Sequence, residues 1–458
     1  MDVKLGKLPP DLQDTAAIAD SLAKLRVADA VDALDTLDHP TAVAVLKAMP
    51  LTLAVQLFDE AGLVHPHKIV ELLPDPLAAS ILDGISADRR VEIFRKLGAP
   101  DRQRLSKLLS PEDQASLAQL LTYKDHTAGG MMTTEFLSLP PDLRVEDALR
   151  HIREVAKEKE TIYSIYIVDP ATRRLIQPIS LRDLILAEPS ATLSSIQRHR
   201  EPIVVLPTTD REEVGALISK YDLLAIPVVE PSGRIVGIVT VDDVIDAMVE
   251  EATEDAQRFG GMESLDAPYM EISFLGMIKK RAGWLCALFL SEMLTASAMQ
   301  HYEDQLQRAV VLTLFIPLIM SSGGNSGSQA TSLIIRALAL GEVKLKDWWR
   351  IASRELPSGL VLGSILGVIG FARISIWQWA GFYDYGEHWT LIALTVGCAL
   401  VGIVTFGSLA GSMLPFALKR LGFDPATASA PFVATLVDVT GLIIYFSIAY
   451  QILRGTLL

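Results

Sequence analysis

The sequence predicts a multidomain chain: an all-α superhelical region, an α/β tandem repeat, and an all-α bundle of five membrane-spanning helices. Three observations carry that prediction. Between prolines, apolar residues recur at three- and four-residue spacing through residues 1–125. Two β-rich segments in residues 126–250 resemble one another at an offset of about 60 residues. Beyond residue 278 come five apolar runs, each long enough to cross ~30 Å of hydrocarbon at ~1.5 Å per residue.

Charge divides the 458 residues in the same place. Residues 1–278 hold 28 Lys plus Arg against 45 Asp plus Glu, a balance of −17, whereas residues 279–458 hold 13 against 10, a balance of +3. A region that negative repels nucleic acid and anionic lipid and attracts cations, and its crowded carboxylates hold apart unless a divalent ion screens them. No nucleic-acid partner is expected. The two cysteines, Cys286 and Cys398, both lie in apolar runs, which excludes a disulfide framework and a thiolate metal site. The opening MDVKLGKLPPDLQD lacks the apolar core of a signal peptide, so the N-terminal half is expected in the cytoplasm.

In residues 1–125, Leu22, Leu25, Val31, Leu34 and Leu37 mark short amphipathic helices, punctuated by Pro40, Pro50, Pro66, Pro74, Pro100 and Pro111. Ser110 and Ser86 are read as N-caps, each with acids in the first turn. A Leu-rich helix every fifteen to twenty residues suggests a small superhelix. Asp59, Glu60, Asp83, Asp88 and Glu92 are either cation ligands turned to a neighbouring domain or solvated surface charge.

In residues 126–250, Ile165–Asp169 matches Ile226–Glu230 and Ser180–Ile185 matches Thr240–Ile245. Each copy reads as strand, turn, strand and a helix opened by Ser or Thr with Asp three residues on. The pair resembles tandem CBS domains. In that family the same Asp often holds an adenosine ribose, which implies Ser180, Arg182 and Asp183 as a nucleotide site and ATP as its occupant. Capping alone explains Ser180 and Asp183 equally well. Ser164 and Leu223 stand where a stacking aromatic is expected, and Gln177-Pro178 replaces the glycine-led strand of the second copy, so these residues fit adenine poorly. Eight carboxylates lie in or beside one helix: Asp222, Asp242, Asp243, Asp246, Glu250, Glu251, Glu254 and Asp255. Asp243, Asp246 and Glu250 share a face, and like charges at helical spacing destabilise it unless a cation neutralises them. A solvated acidic helix is the plainer alternative.

The helix from Val241 is expected to run to about Phe259; after Gly260-Gly261 a second amphipathic stretch, Tyr269–Ile278, completes a connector over residues 251–278. The spans are expected at about 282–300, 309–338, 356–380, 389–418 and 427–453, within a membrane domain of residues 279–458. Ten basic residues fall on one side of the spans against two on the other, which places the soluble half inside and the C-terminus outside. Glu292, Asn325, Gln329, Arg373 and Asp438 lie within the spans, where polar groups are expensive and usually functional. Glu292 and Arg373 are read as structural. The stretch SSGGNSGSQ from Ser321 to Gln329 combines close-packing small residues with two amides, and with Asp438 it is read as lining a polar ion path through Asn325.

The motifs Thr127–Phe136, Thr240–Asp246 with Glu251–Asp255, Gly323–Gln329 with Leu333–Leu338, and Asp424-Pro-Ala-Thr with Asp438–Gly441 together resemble the MgtE family of magnesium channels and transporters. Ser328 stands where the family commonly has Asn. The resemblance implies a homodimer in the plasma (inner) membrane whose paired Asp438 residues pass hydrated Mg2+. It also implies that further Mg2+ ions bridge Asp88, Asp222, Asp243, Asp246, Glu251, Glu254 and Asp255 and close the pore when cytosolic Mg2+ is high. The chain is read as no enzyme: its spans carry no His and no nucleophile paired with a base. A proton-coupled divalent-cation carrier and a CBS-regulated membrane enzyme are the alternatives.

Overall fold

The computed structural model describes residues 15–156, 159–196, 201–265, 269–270 and 272–457. It forms two compact units, residues 1–249 and 250–458.

The first unit opens with short helices from Thr15–Leu22 to Pro111–Leu120, each packed against the second one along the chain, which winds them into a superhelix. Proline sets several of their starts: Pro40, Pro66, Pro76, Pro100 and Pro111 all sit in a first turn. A helix leaves its first N–H groups unpaired in any case, so the donor that proline lacks is not missed there. Ser110 caps its helix through the Asp113 amide. Ser86 does not cap the helix Ala87–Lys96: its hydroxyl and amide both donate to Asp59, at 2.8 and 2.7 Å. Two arginines of that helix are buried, and they clamp the superhelix. Arg89 donates to the carbonyls of Phe58, Glu60 and Leu63, and Arg90 to those of Leu82 and Ile85 while pairing with Asp113 at 2.6 Å. Cations there satisfy carbonyls that helix ends leave open.

Five strands follow: β1 Leu137–Leu139, β2 Ser164–Val168, β3 Leu175–Ser180, β4 Ala225–Val229 and β5 Ile235–Thr240. β1 runs parallel to β2, β2 antiparallel to β3, and β4 antiparallel to β5. The duplication is visible in the register. Ser164 pairs with Ser180 and Ala225 with Thr240, and both hairpins slip at matching places, Ile167/Val168 and Val228/Val229. Val205, bridging Val228 in parallel, takes in the second copy the place β1 holds in the first. Gly237 has a specific reason: the segment entering the first copy pairs Thr133 with Ile238 at 2.9 and 3.0 Å, and a Cβ at 237 would fall 2.8 Å from the Thr133 carbonyl oxygen. One apolar core, including Ile93, Phe94, Leu117, Val214, Ile226 and Val239, joins the superhelix to the second copy.

In the second unit the helix Val241–Phe259 ends at Gly260-Gly261, with Gly261 at φ +75°. Part of the expected stretch Tyr269–Ile278 lies outside the described residues, and its remainder from Phe274 belongs to the helix of the first span. Ser273 caps a helix that begins at Phe274, so Lys279, Lys280 and Arg281 lie inside the first span. Five helices are long and apolar enough to cross a membrane: span 1 Phe274–His301, span 2 Val310–Ala339, span 3 Leu345–Trp379, span 4 Trp389–Arg420 and span 5 Ala430–Leu453. Span 4 is the hub, packed against spans 2, 3 and 5. Glycines make this possible, because in lipid helices associate through close packing rather than apolar burial. A Cβ at Gly411 would stand 2.2 Å from the Gly327 oxygen, and one at Gly363 only 2.7 Å from Val401 Cα. The helices approach so closely that the Ser326 and Ser408 hydroxyls meet at 2.8 Å and Thr331 donates across to the Gly411 carbonyl at 2.8 Å. Span 1 differs: it leans on span 5 and has no buried residue.

Candidate functional site

The sequence pattern of span 2 puts small residues on one side and amides on another, and the fold uses both. Gly327 faces Val433, Gly323 faces Val437 and Gly441 faces Met320, so spans 2 and 5 run antiparallel in close contact. That register sets Asp438 level with Ser322 and Asn325 level with Thr435, three residues or ~4.5 Å along the axis. Ser321, Asn325 and Gln329, at four-residue spacing, form one polar face left open by the protomer, and Asp438 is half-buried beside it. Asn325 donates to Ser321 Oγ at 3.4 Å. The hydroxyls around Asp438 are satisfied by their own helix, Thr435 to the Pro431 carbonyl at 3.0 Å and Thr440 to that of Leu436 at 2.7 Å. Among the described residues Asp438 itself accepts no hydrogen bond and forms no ion pair. Arg373 is held by Tyr385 Oη at 3.0 Å and lies over the Trp377 ring, at 4.8 Å.

A second concentration of carboxylates lies in the first unit, between superhelix and tandem repeat. Asp88 Oδ1 is buried without a hydrogen-bond partner. Burial, then the Asp59 carboxylate, pushes Asp88 up to about 6. Asp243 is pushed up to about 8 by burial, then by Asp88, with Asp242 and Glu160 adding to it against a hydrogen bond from Thr240. Glu135 and Glu160 rise to about 7 through burial and the charge of Asp88. These mutual repulsions define one acidic neighbourhood of Asp59, Asp88, Glu135, Glu160, Asp242 and Asp243. Glu135 and Glu160 escape a reading of the sequence because one is a lone acid and the other ends a mixed Lys/Glu run in a connecting segment; the Glu160 amide, bonding the Glu135 carbonyl at 2.9 Å, brings them together. Asp246 lies at the exposed edge of this neighbourhood, raised by partial desolvation and then by Asp242, and Glu250 is exposed. Among the described residues no three His, Cys, Asp or Glu side chains form a ready cage. An orphaned carboxylate oxygen among repelling neighbours fits a cation that keeps most of its own water, as Mg2+ does.

Beyond residue 250 the acids are organised differently. Glu254 and Asp424 both pair with Arg258. Asp255 is pushed up to about 6 by burial and then by Asp424 and Glu251. Asp424, which also accepts from the Ala426 amide at 2.8 Å, is brought in by the loop before span 5.

The tandem repeat holds a cleft of about 740 Å3 lined in part by Tyr163, Ser164, Gln177, Ser180, Tyr221 and Asp222. Aromatic side chains do stand at this cleft, contrary to the expectation built on Ser164 and Leu223: Tyr163 and Tyr221, one and two residues earlier, are 62% and 45% exposed. Ser180 and Asp183 form a full capping box, with Ser180 N and Oγ donating to Asp183 at 3.1 and 2.7 Å, and Arg182 is exposed. Asp222 sits apart from the acidic helix, as the left-handed C-cap of helix Arg211–Tyr221 at φ +51°.

Fold and site together define a polytopic membrane protein of the ion-transport class, with an acidic superhelix and an α/β tandem attached. The comparisons agree. Residues 316–448 match the family described as MgtE, divalent cation transporter, residues 25–126 the MgtE intracellular N domain, and residues 193–250 the CBS domain. The magnesium transporter MgtE of Thermus thermophilus is 38% identical over 426 residues, covering 87% of this chain and 92% of that protein. The magnesium transporter MgtE of Enterococcus faecalis is 36% identical over 343 residues, covering 75% and 73%. A crystal structure of the cytosolic domain of the Mg2+ channel MgtE in complex with ATP is 34% identical, covers 51% of this chain and 95% of that one, and superposes with a TM-score of 0.48. The chain belongs to the MgtE family, a family of transporters rather than enzymes.

Proposed function

We propose that the protein carries Mg2+ across the plasma (inner) membrane as a channel, gated by cytosolic Mg2+. The observation that carries the reading is the half-buried, unpaired Asp438 beside the open polar face Ser321–Asn325–Gln329, in a bundle otherwise sealed by glycine packing. An open polar face on one protomer calls for a second protomer to complete it, so the working form is a homodimer with two Asp438 carboxylates facing one path. Mg2+ gives up its water reluctantly; a carboxylate and neighbouring amide and carbonyl oxygens select it through the hydration shell.

The acids outside the spans act as the sensor. With Mg2+ present, water-mediated bridges screen Asp59, Asp88, Glu135, Glu160, Asp242 and Asp243 and hold superhelix and tandem repeat together, with Asp246 at the edge. At the far end of the helix Val241–Phe259, Mg2+ likewise screens Glu251 and Asp255 beside the Arg258-paired Glu254 and Asp424. When Mg2+ falls, repulsion loosens both sets and the path opens. ATP is the proposed occupant of the tandem cleft, its adenine between Tyr163 and Tyr221 and its ribose against Ser180; Asp183 remains the helix cap. The family likeness and the positive residues at one end of the spans support an N-terminal half in the cytoplasm and a C-terminus outside.

The deciding experiment is Mg2+ flux in proteoliposomes at equal pH on both sides. Flux without a proton gradient, falling when Mg2+ is raised on the sensor side, is expected. A strict need for a proton gradient overturns the channel reading.

A further inference from the structure

We propose that Glu292 of span 1 is a second carboxylate of the ion path, level with Asp438, and that it sets the preference for divalent over monovalent cations. The inference rests on the assignment of Asp438 to that path. It arises from contacts at the two ends of the span 1 and span 5 pair. Near their starts, Trp284 Nε1 donates to Ser429 Oγ at 3.2 Å and the Trp284 ring lies 6.3 Å from that of Phe432. Near the other end, Tyr302 stacks on Phe446 with centroids 4.7 Å apart and planes 18° from parallel. The two helices therefore run in the same direction, and the residues between these fixed points are in step. Glu292, eight residues after Trp284, falls at the height of Val437 and Asp438.

The surroundings of Glu292 argue against a purely structural role. It is the one acid in span 1, it is exposed in the protomer, and Phe289, Leu290, Met293 and Leu294 around it are exposed apolar residues. Among the described residues it has no hydrogen bond and no ion pair. A carboxylate turned to hydrocarbon with nothing to neutralise it is expensive, whereas beside a cation path its charge has a counterion. The attraction scales with the product of charges, so each added carboxylate at that depth favours Mg2+ twice as strongly as K+.

The test is Mg2+ and K+ flux in proteoliposomes holding the full chain, with Glu292→Gln, Glu292→Asp and Asp438→Asn compared. Glu292→Gln is expected to raise the half-saturating Mg2+ concentration by about threefold or more and to lower the Mg2+ over K+ permeability ratio by a similar factor, with Glu292→Asp within about twofold of the parent. Unchanged half-saturation and ratio in Glu292→Gln, beside a dead Asp438→Asn, overturns the inference alone. So does a uniform loss of flux in both Glu292 variants with neither quantity moved, because that is what a packing role produces. If Asp438→Asn transports normally, the path assignment itself falls. Should Glu292→Gln fail to assemble, carbodiimide labelling of the parent protein decides: labelling at Glu292 slowed by Mg2+ but not by K+ supports the role, and equal labelling in both ions overturns it.

Discussion

The two units use the same functional group in opposite ways. In residues 1–249 carboxylates are crowded and no three form a ready cage among the described residues. In residues 250–458 the half-buried Asp438 stands within a bundle whose helices are drawn together until glycine backbones touch. Under the proposed function crowding suits a sensor, because repulsion stores the response and a weakly held ion releases it. In the proposed path, sparse acids on a rigid frame attract a hydrated ion without trapping it in a cage. Softness is useful in the first unit and rigidity in the second.

The sharpest way to break that comparison is Asp438→Asn. Mg2+ flux is expected to fall by about two orders of magnitude while the protein still elutes as an assembled species, since one unit charge at short range in a poorly polarisable site is worth several kcal/mol. Near-normal flux would make the two sets of acids equivalent. Next is the frame. Gly411→Ala pushes a methyl into the Gly327 carbonyl and should cost roughly 3 kcal/mol or more, read as a large fall in thermal stability in detergent. Gly283→Ala meets nothing within 4 Å and should change stability by no more than about 0.5 kcal/mol.

The sensor is sharpened by pH. Asp88, Glu135, Glu160 and Asp243 all have raised values in the fold, so the folded first unit favours their protonated forms. Without divalent ions, stability is greatest at low pH and is lost as pH rises from the ordinary carboxylate range through about 6 to 8. Mg2+ takes the place of those protons, so Mg2+-dependent protection of the full chain from protease should grow between pH 6 and 8 and vanish below about 5. Protection independent of pH would remove these acids from the sensor. Asp88→Asn with Asp243→Asn removes the charges that Mg2+ screens and should make both the protection and the flux independent of internal Mg2+. The smallest effect is expected at Thr331→Val, which removes a hydroxyl shared between the Gly327 and Gly411 carbonyls and should cost about 1 kcal/mol in detergent stability.

Much of the fold was legible because periodicity is local. The duplication, five apolar runs and the end of the helix Val241–Phe259 at a Gly-Gly pair follow from spacing that any stretch of chain displays on its own. Ser86 shows where local reading stops: it sits at a cap position, yet Asp59, 27 residues earlier, takes its hydroxyl. Arg89 and Arg90 stand on a helix that the superhelix folds back over, and they are among the most buried polar residues of the first unit. Local pattern points to Ser164 and Leu223 for the cleft aromatics, and the fold presents Tyr163 and Tyr221 instead.

By itself the sequence determined which segments are helix, strand or span, and that the soluble half is acidic, because hydrophobic period and charge are properties of a few consecutive residues. Only the tertiary structure decided which acids come together: Glu135 and Glu160 with Asp88 and Asp243, and Asp424 with Asp255. Electrostatic energy depends on distance through space and on the water excluded between charges, and both are fixed by packing between segments far apart along the chain.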